Sequence, residues 1–215
     1  MAEIIPAINS ENISEIKDKL ELIAPHTRWA HIDVADGSFT QNVLWHSPAE
    51  LDDITSDLKL EVHLMLSDID QKIIPWLAAT SIKRIIFHIE AAINPDEVIA
   101  ACKAAGKDVG ISLKPETEAE KLQPYFSKVD LVQILAVSPG RAGQTFDERA
   151  LNKISSVRAA CPSCIIEVDG GMKIGTAKSA AAAGANAIVA ASAIFNSSNI
   201  EEAIKTLQND TLTRR

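Results

Sequence analysis

Histidine and acidic side chains fall where short, apolar, β-branched runs come to an end: His31 and Asp33 in His31-Ile32-Asp33, then His63, His88 and Asp169. Residues two apart on a strand point to the same side, so His31 and Asp33 share one face while Ile32 and Val34 take the other. Two imidazoles and two carboxylates converging on a buried face are costly unless neutralised, and one divalent cation does this in a single step. The donor set His31, Asp33, His63 and Asp169 suits zinc, iron, manganese or cobalt. His88 admits two readings, a direct role at that site or a strand end whose imidazole bonds a neighbouring carboxylate such as Glu90. His26 and His46 lie in loops and carry no such pattern.

The elements that must position these groups follow from the alternation of strand-like and helix-like stretches. Strands are expected over 4–8, 29–34, 60–64, 84–88, 108–113, 131–136, 165–169 and 187–190, with helices over 10–23, 70–79, 95–105, 117–126, 148–160, 174–183 and 200–207 between them. Ser10, Asn94 and Thr117 are the expected N-caps, and Gly106 and Gly184 the expected helix stops. Dividing the 215 residues into eight units gives about 27 each, near the lower size limit of a parallel barrel. The expected fold is therefore α/β, a (β/α)8 TIM barrel forming one domain over 1–215; a doubly wound sheet fits less well. In such a barrel the active groups sit at the C-terminal ends of the strands and in the loops that follow. Three of those loops are rich in small residues: Pro139-Gly140-Arg141-Ala142-Gly143-Gln144, Gly170-Gly171 and Ala191-Ser192. Their position after the sixth to eighth strands is where barrels commonly hold a phosphate on bare backbone N–H groups.

Composition narrows the partners. The chain is 47% apolar and carries 29 acidic against 21 basic residues, a net charge of −8, and its basic residues cluster only at Arg214-Arg215. Nucleic acid and anionic membrane are poor partners for such a surface, whereas a phosphorylated small molecule needs no net positive charge. The start, Met1-Ala2-Glu3, has no secretory pattern, and the Ala-rich run from Ser179 to Phe195 is broken by Gly184, Asn186 and Ser192, so the expected compartment is the cytoplasm. Cys102, Cys161 and Cys164 fit a reducing compartment, with Cys161-Pro162-Ser163-Cys164 expected as two thiols in a loop.

Taken in order, these strings resemble the ribulose-phosphate 3-epimerase family over nearly the whole chain. They are Ile5-Pro6-Ala7-Ile8, His31-Ile32-Asp33-Val34-Ala35-Asp36-Gly37 with Phe39, His63-Leu64-Met65, His88-Ile89-Glu90-Ala91, Pro115-Glu116-Thr117, Ser138-Pro139-Gly140 with Gly143-Gln144 and Phe146, Val168-Asp169-Gly170-Gly171, and Ala191-Ser192-Ala193-Ile194-Phe195. The resemblance implies a metal-dependent barrel with His31, Asp33, His63 and Asp169 as ligands, Asp33 and Asp169 as paired acid and base, a ketose phosphate substrate, and a homo-oligomer. It also implies that Gly140, Gly143, Gly170, Gly171, Ala191 and Ser192 hold the substrate and its phosphate. The chemistry agrees: inverting a carbon beside a carbonyl removes a proton from one face and returns one to the other, which takes two carboxylates.

The chain departs from the family's usual pattern at Ala7 (usually Ser), Ala35 and Leu135 (usually Met), Arg141-Ala142 (usually Phe-Gly) and Ala191 (usually Gly). Arg141 offers a planar fork for an anion or pairs with a surface acid such as Asp147 or Glu148. The leading expectation is interconversion of D-ribulose 5-phosphate and D-xylulose 5-phosphate. Alternatives are a six-carbon ketose phosphate such as allulose 6-phosphate, and a non-catalytic barrel that senses a sugar phosphate. A decarboxylase or aldol-type relative would carry Lys at the place of Ala35.

Overall fold

A computed structural model describes residues 1–140 and 143–212. Eight parallel strands close in chain order: β1 (Glu3–Ile8), β2 (Trp29–Ala35), β3 (Lys59–Met65), β4 (Ile82–His88), β5 (Asp108–Leu113), β6 (Leu131–Leu135), β7 (Ile165–Asp169) and β8 (Ala187–Ala190), with β8 pairing back onto β1. This is the expected (β/α)8 barrel. Every second strand residue faces outward, and Ile32, Val34, Val62, Leu64, Ile85 and Phe87 are wholly buried in one aliphatic core. That layer seals the barrel beneath its helices, which is why the strands read as near-continuous apolar runs.

The helices are α1 (Ile13–Ile23), α2 (Ile69–Lys72), α3 (Ile74–Ala78), α4 (Pro95–Ala104), α5 (Arg149–Ala160), α6 (Thr176–Ala183), α7 (Ser192–Phe195) and α8 (Ile200–Asp210). Four expectations change here. The N-cap of α1 is Asn12, whose side chain accepts from the Glu15 N–H, while Ser10 Oγ donates to the Glu15 carboxylate at 2.6 Å. The helix expected over 70–79 is split into α2 and α3, because Pro75 has no N–H and can sit only in the first turn of a new helix. The stretch 119–125, with Pro124 inside it, forms a 3-10 helix preceded by Glu118, so Thr117 is no cap. Asn94 does precede α4, but its amide donates to Glu97 instead of capping.

Cys161 and Cys164 are joined in a disulfide, not left as two thiols, because the turn between α5 and β7 brings their Cα atoms to 5.5 Å. Cys102 is a buried free thiol. Among the described residues no helix is long and apolar enough to cross a membrane.

The barrel interior departs from the apolar filling usual for this architecture. Glu61, Arg84, Gln133 and Glu167 point inward and are all buried. Arg84 Nη1 donates to Glu61 Oε2 at 2.7 Å while the guanidinium lies 4.1 Å from the centre of the Trp29 ring. Gln133 Nε2 donates to Glu167 Oε1 at 3.0 Å. Removing one partner of a buried pair leaves an uncompensated charge, so Arg84→Met is expected to lower stability by about 3–5 kcal/mol. Urea denaturation checks this, and adding Glu61→Leu is expected to restore part of the loss.

Candidate active site

Strand register builds the site in two layers. His31 lies opposite Glu61 and Asp33 opposite His63 on β2 and β3, while Gln133 lies opposite Glu167 and Leu135 opposite Asp169 on β6 and β7. The lower layer is the ionic one just described. The upper layer, at the C-terminal mouth, brings together His31, Asp33, His63 and Asp169, whose donor atoms lie within 4.8 Å of one another. His63 Nδ1 is 3.0 Å from Asp33 Oδ1 and 3.6 Å from Asp169 Oδ2, and His31 Nε2 is 3.4 Å from Asp33 Oδ1.

These atoms fit a cation. His31 Nδ1 lies 2.8 Å from Glu61 Oε1, an acceptor-only carboxylate, so the proton of a neutral His31 sits on Nδ1 and its Nε2 lone pair faces the acids. That Nε2 is buried and has no hydrogen-bond partner. An orphaned lone pair beside two carboxylates, with a carboxylate behind its imidazole, is the arrangement in which histidine ligates a metal.

The two carboxylates titrate apart. Burial pushes Asp33 up, but the His31 and His63 imidazoles outweigh it and hold the group well below the ordinary carboxylate range. Asp169, also subject to burial and facing the charge on Asp33, is pushed up to about 6. Two acids held apart in this way can act as a base and an acid at one pH.

Asp33 and Asp169 open into one pocket at the barrel mouth, and all six residues expected to hold substrate, Gly140, Gly143, Gly170, Gly171, Ala191 and Ser192, line it. Ala7 and Leu135 line it too, whereas Ala35 is fully buried against Leu44 and Met65 and only reaches the pocket through Met65. Ala191 has φ −103°, so a side chain there brings no left-handed strain. The glycines also have packing duties: a Cβ on Gly170 would meet Val137 Cγ2 at 2.5 Å, and one on Gly171 would meet the Phe146 backbone N at 2.5 Å. Arg141 and Ala142, like Arg214 and Arg215, lie outside the described residues.

Three groups at the site escaped the sequence reading. Glu61 and Glu167 stand two residues before His63 and Asp169 on the same strand faces, and that i−2 spacing was their signal. Asn9, just past β1, donates to Asp33 Oδ2 at 3.2 Å and has no pattern that marks it. His88, for its part, is fully buried with Nδ1 near Glu90 Oε2 at 3.4 Å but in no hydrogen bond, and its Nε2 is 2.8 Å from His63.

A closed parallel barrel whose mouth combines a cation-type donor set, an acid–base pair and small-residue loops defines a class of barrel enzymes that act on phosphorylated small molecules. Within that class the chain belongs to the ribulose-phosphate 3-epimerase family, whose model it matches over residues 3–195. It is 32% identical to the ribulose-phosphate 3-epimerase of Schizosaccharomyces pombe, covering 98% of this chain and 94% of that protein. It is 34% identical to the ribulose-phosphate 3-epimerase cytoplasmic isoform of Oryza sativa subsp. japonica, covering 96% of this chain and 93% of that protein. Among solved structures, the 3-hexulose-6-phosphate synthase of Salmonella typhimurium superposes with a TM-score of 0.72 at 13% identity, covering 97% of this chain and 98% of that one, a likeness of fold.

The glycine contacts yield a graded expectation. Gly143 has φ +79° but open space around a Cβ. Gly143→Ala is therefore expected to cost about 1–2 kcal/mol, the left-handed strain alone. Gly171→Ala adds a clash with backbone that cannot swing aside, and thermal unfolding of the two variants should rank it clearly lower.

Proposed function

We propose that this chain inverts C3 of a ketose phosphate, interconverting D-ribulose 5-phosphate and D-xylulose 5-phosphate. The observation that carries the reading is the convergence of Asp33 and Asp169, with His31 and His63, on one pocket walled by phosphate-type loops. Asp33, ionised, takes the C3 proton from one face of the sugar. Asp169 returns a proton to the opposite face, and the roles exchange in the reverse direction. Asn9 anchors Asp33 Oδ2, leaving Oδ1 toward the imidazoles.

His31, Asp33, His63 and Asp169 would hold one divalent ion, zinc, iron, manganese or cobalt, which supplies Lewis-acid stabilisation of the charge that builds on the substrate oxygens. The protein's own residues orient the sugar: Met65 and Leu135 offer an apolar wall, and the backbone of Gly140, Gly143, Gly170, Gly171, Ala191 and Ser192 receives the phosphate. A six-carbon ketose phosphate is the second reading, because Ala7 and Leu135, both departures from the family's usual residues, line this same pocket. We assign the protein to the cytoplasm, as the rice relative's name places that protein, and expect a homo-oligomer on the family resemblance; light scattering of the purified protein tests the latter.

Asp33→Asn and Asp169→Asn are each expected to lower kcat by about 10²–10⁴-fold, because each carboxylate serves one face. Epimer ratios and incorporation of deuterium from heavy water at C3, followed by NMR on five- and six-carbon ketose phosphates, give the readout. Near-normal turnover in either variant rules out the two-base reading, and no exchange with any ketose phosphate in the metal-loaded parent protein leaves the sensing barrel. Dialysis against a chelator is expected to abolish exchange and re-addition of a divalent metal to restore it.

A further inference from the structure

We infer that His88 and Glu90 are positioning residues that fix the imidazole of His63 as a cation ligand. The inference rests on the reading of His63 as a ligand and extends it to residues that touch neither substrate nor cation. Glu90 Oε2 lies 3.4 Å from His88 Nδ1, His88 Nε2 lies 2.8 Å from His63 Nε2, and His63 Nδ1 faces Asp33 Oδ1 at 3.0 Å.

Both ends of this chain face carboxylates, and a cation at His63 Nδ1 decides its direction. A His63 that gives its Nδ1 lone pair to a cation keeps its proton on Nε2, so His88 must meet that proton with its own Nε2 lone pair and carry a proton on Nδ1, toward a carboxylate that can only accept. The proton between the two imidazoles then belongs to His63 Nε2. That leaves the His63 Nδ1 lone pair pointing at Asp33 and Asp169, where it is repelled unless a cation lies between. Without a cation the opposite arrangement takes over, in which His63 Nδ1 donates to Asp33 and a His88 lone pair faces the Glu90 carboxylate 3.4 Å away. His31 reaches the same state in one step, through Glu61.

Glu90 is itself held. It accepts from the Lys114 backbone N–H at 2.8 Å and from the Thr117 hydroxyl, both in the loop after β5. The Phe39 ring covers His88 with centroids 4.6 Å apart, and Lys114 Nζ rests 3.7 Å from the Phe39 centroid. His63 is thereby tied to the loops after β2, β4 and β5.

The test compares two replacements of His88. His88→Gln offers a carbonyl oxygen to His63 Nε2–H and an amide to Glu90, whereas His88→Met offers neither. Manganese affinity, from chelator competition, is expected to fall about 10–100-fold in His88→Met and to stay within a few-fold in His88→Gln, the usual scale for loss of an outer partner of a metal-bound histidine. Nitrogen-15 NMR of the zinc-loaded protein should show His63 with a hydrogen-bonded proton on Nε2 in the parent and in His88→Gln, and no such hydrogen-bonded proton in His88→Met. Glu90→Ala, which leaves the barrel interior untouched, is expected to weaken manganese and loosen that hydrogen bond in the same direction. Parent-like affinity and Nε2 proton in both His88→Met and Glu90→Ala overturn the inference while leaving the proposed function standing. A folded parent protein that binds no divalent cation overturns both.

Discussion

The constraint on which the rest of this structure depends is the burial of charge inside a closed barrel. Inward-facing positions of β2, β3, β4 and β7 carry His31, Asp33, Glu61, His63, Arg84, Glu167 and Asp169, in a space that such barrels usually fill with branched aliphatics. No single one of these side chains could be left there alone, since an isolated charge in a medium of low dielectric is far too costly. They are tolerable only as a set. Arg84 offsets Glu61, and His31 joins the lower layer to the upper one by contacting Glu61 with one nitrogen and facing Asp33 with the other. Glu167 is pushed well above the ordinary carboxylate range by burial and by the charge on Glu61, which lessens the cost of a further carboxylate in the layer.

The same economy explains why the cation site lies where it does. The lower layer closes on itself, with an arginine to balance its carboxylates, and is sealed from the pocket. The upper layer has no arginine or lysine among its members, only imidazoles and carboxylates, and it opens to solvent on the side of Asp33 and Asp169. Burial opposes charge on His31, but Asp33 and Glu61 raise its pKa well above the usual histidine range, so that imidazole is the layer's own source of positive charge until a cation takes its place. His31, Glu61 and Glu167 also lie close enough to suggest a second cation, but the guanidinium of Arg84 on Glu61 already fills that role.

How much of this was legible in the sequence follows from period and chemistry. Strands announced themselves because both faces of a parallel barrel are buried, and His31, Asp33, His63 and Asp169 stood out as polar interruptions at positions that the two-residue period sends inward. Glu61 and Glu167 were hidden by the same rule read too narrowly: they stand inside apolar runs where a carboxylate looks like a surface residue, until the i+2 partner is known to face inward. Helix boundaries failed where local chemistry competed. Ser10 looks like a cap, yet its hydroxyl engages Glu15 while Asn12 does the capping, and Pro75 and Pro124 break periodicities that the apolar pattern alone would continue. Asn9 had no signal, because its role depends on where β1 ends relative to β2, a register that only the closed barrel sets.

The glycine loops show why a binding motif and a packing motif are hard to separate by pattern. Gly170 and Gly171 both have positive φ and both sit against atoms that would collide with a Cβ, so the fold alone would demand glycine at each. Yet both also line the pocket with Asp169, where the same lack of a side chain lets a ligand come close to their backbone. Gly143 differs, with a left-handed φ but nothing near a Cβ, so packing asks nothing of it beyond backbone freedom. Ala191, at φ −103°, needs no such freedom, which is how this chain carries a methyl group where the family usually has none. The methyl lies in the pocket lining next to Ser192, so its cost, if any, falls on what the pocket admits and not on the backbone that forms it. On the proposed function, substrate selection falls to the wall formed by Ala7, Leu135 and Ala191, set around a charged centre whose geometry the barrel itself dictates.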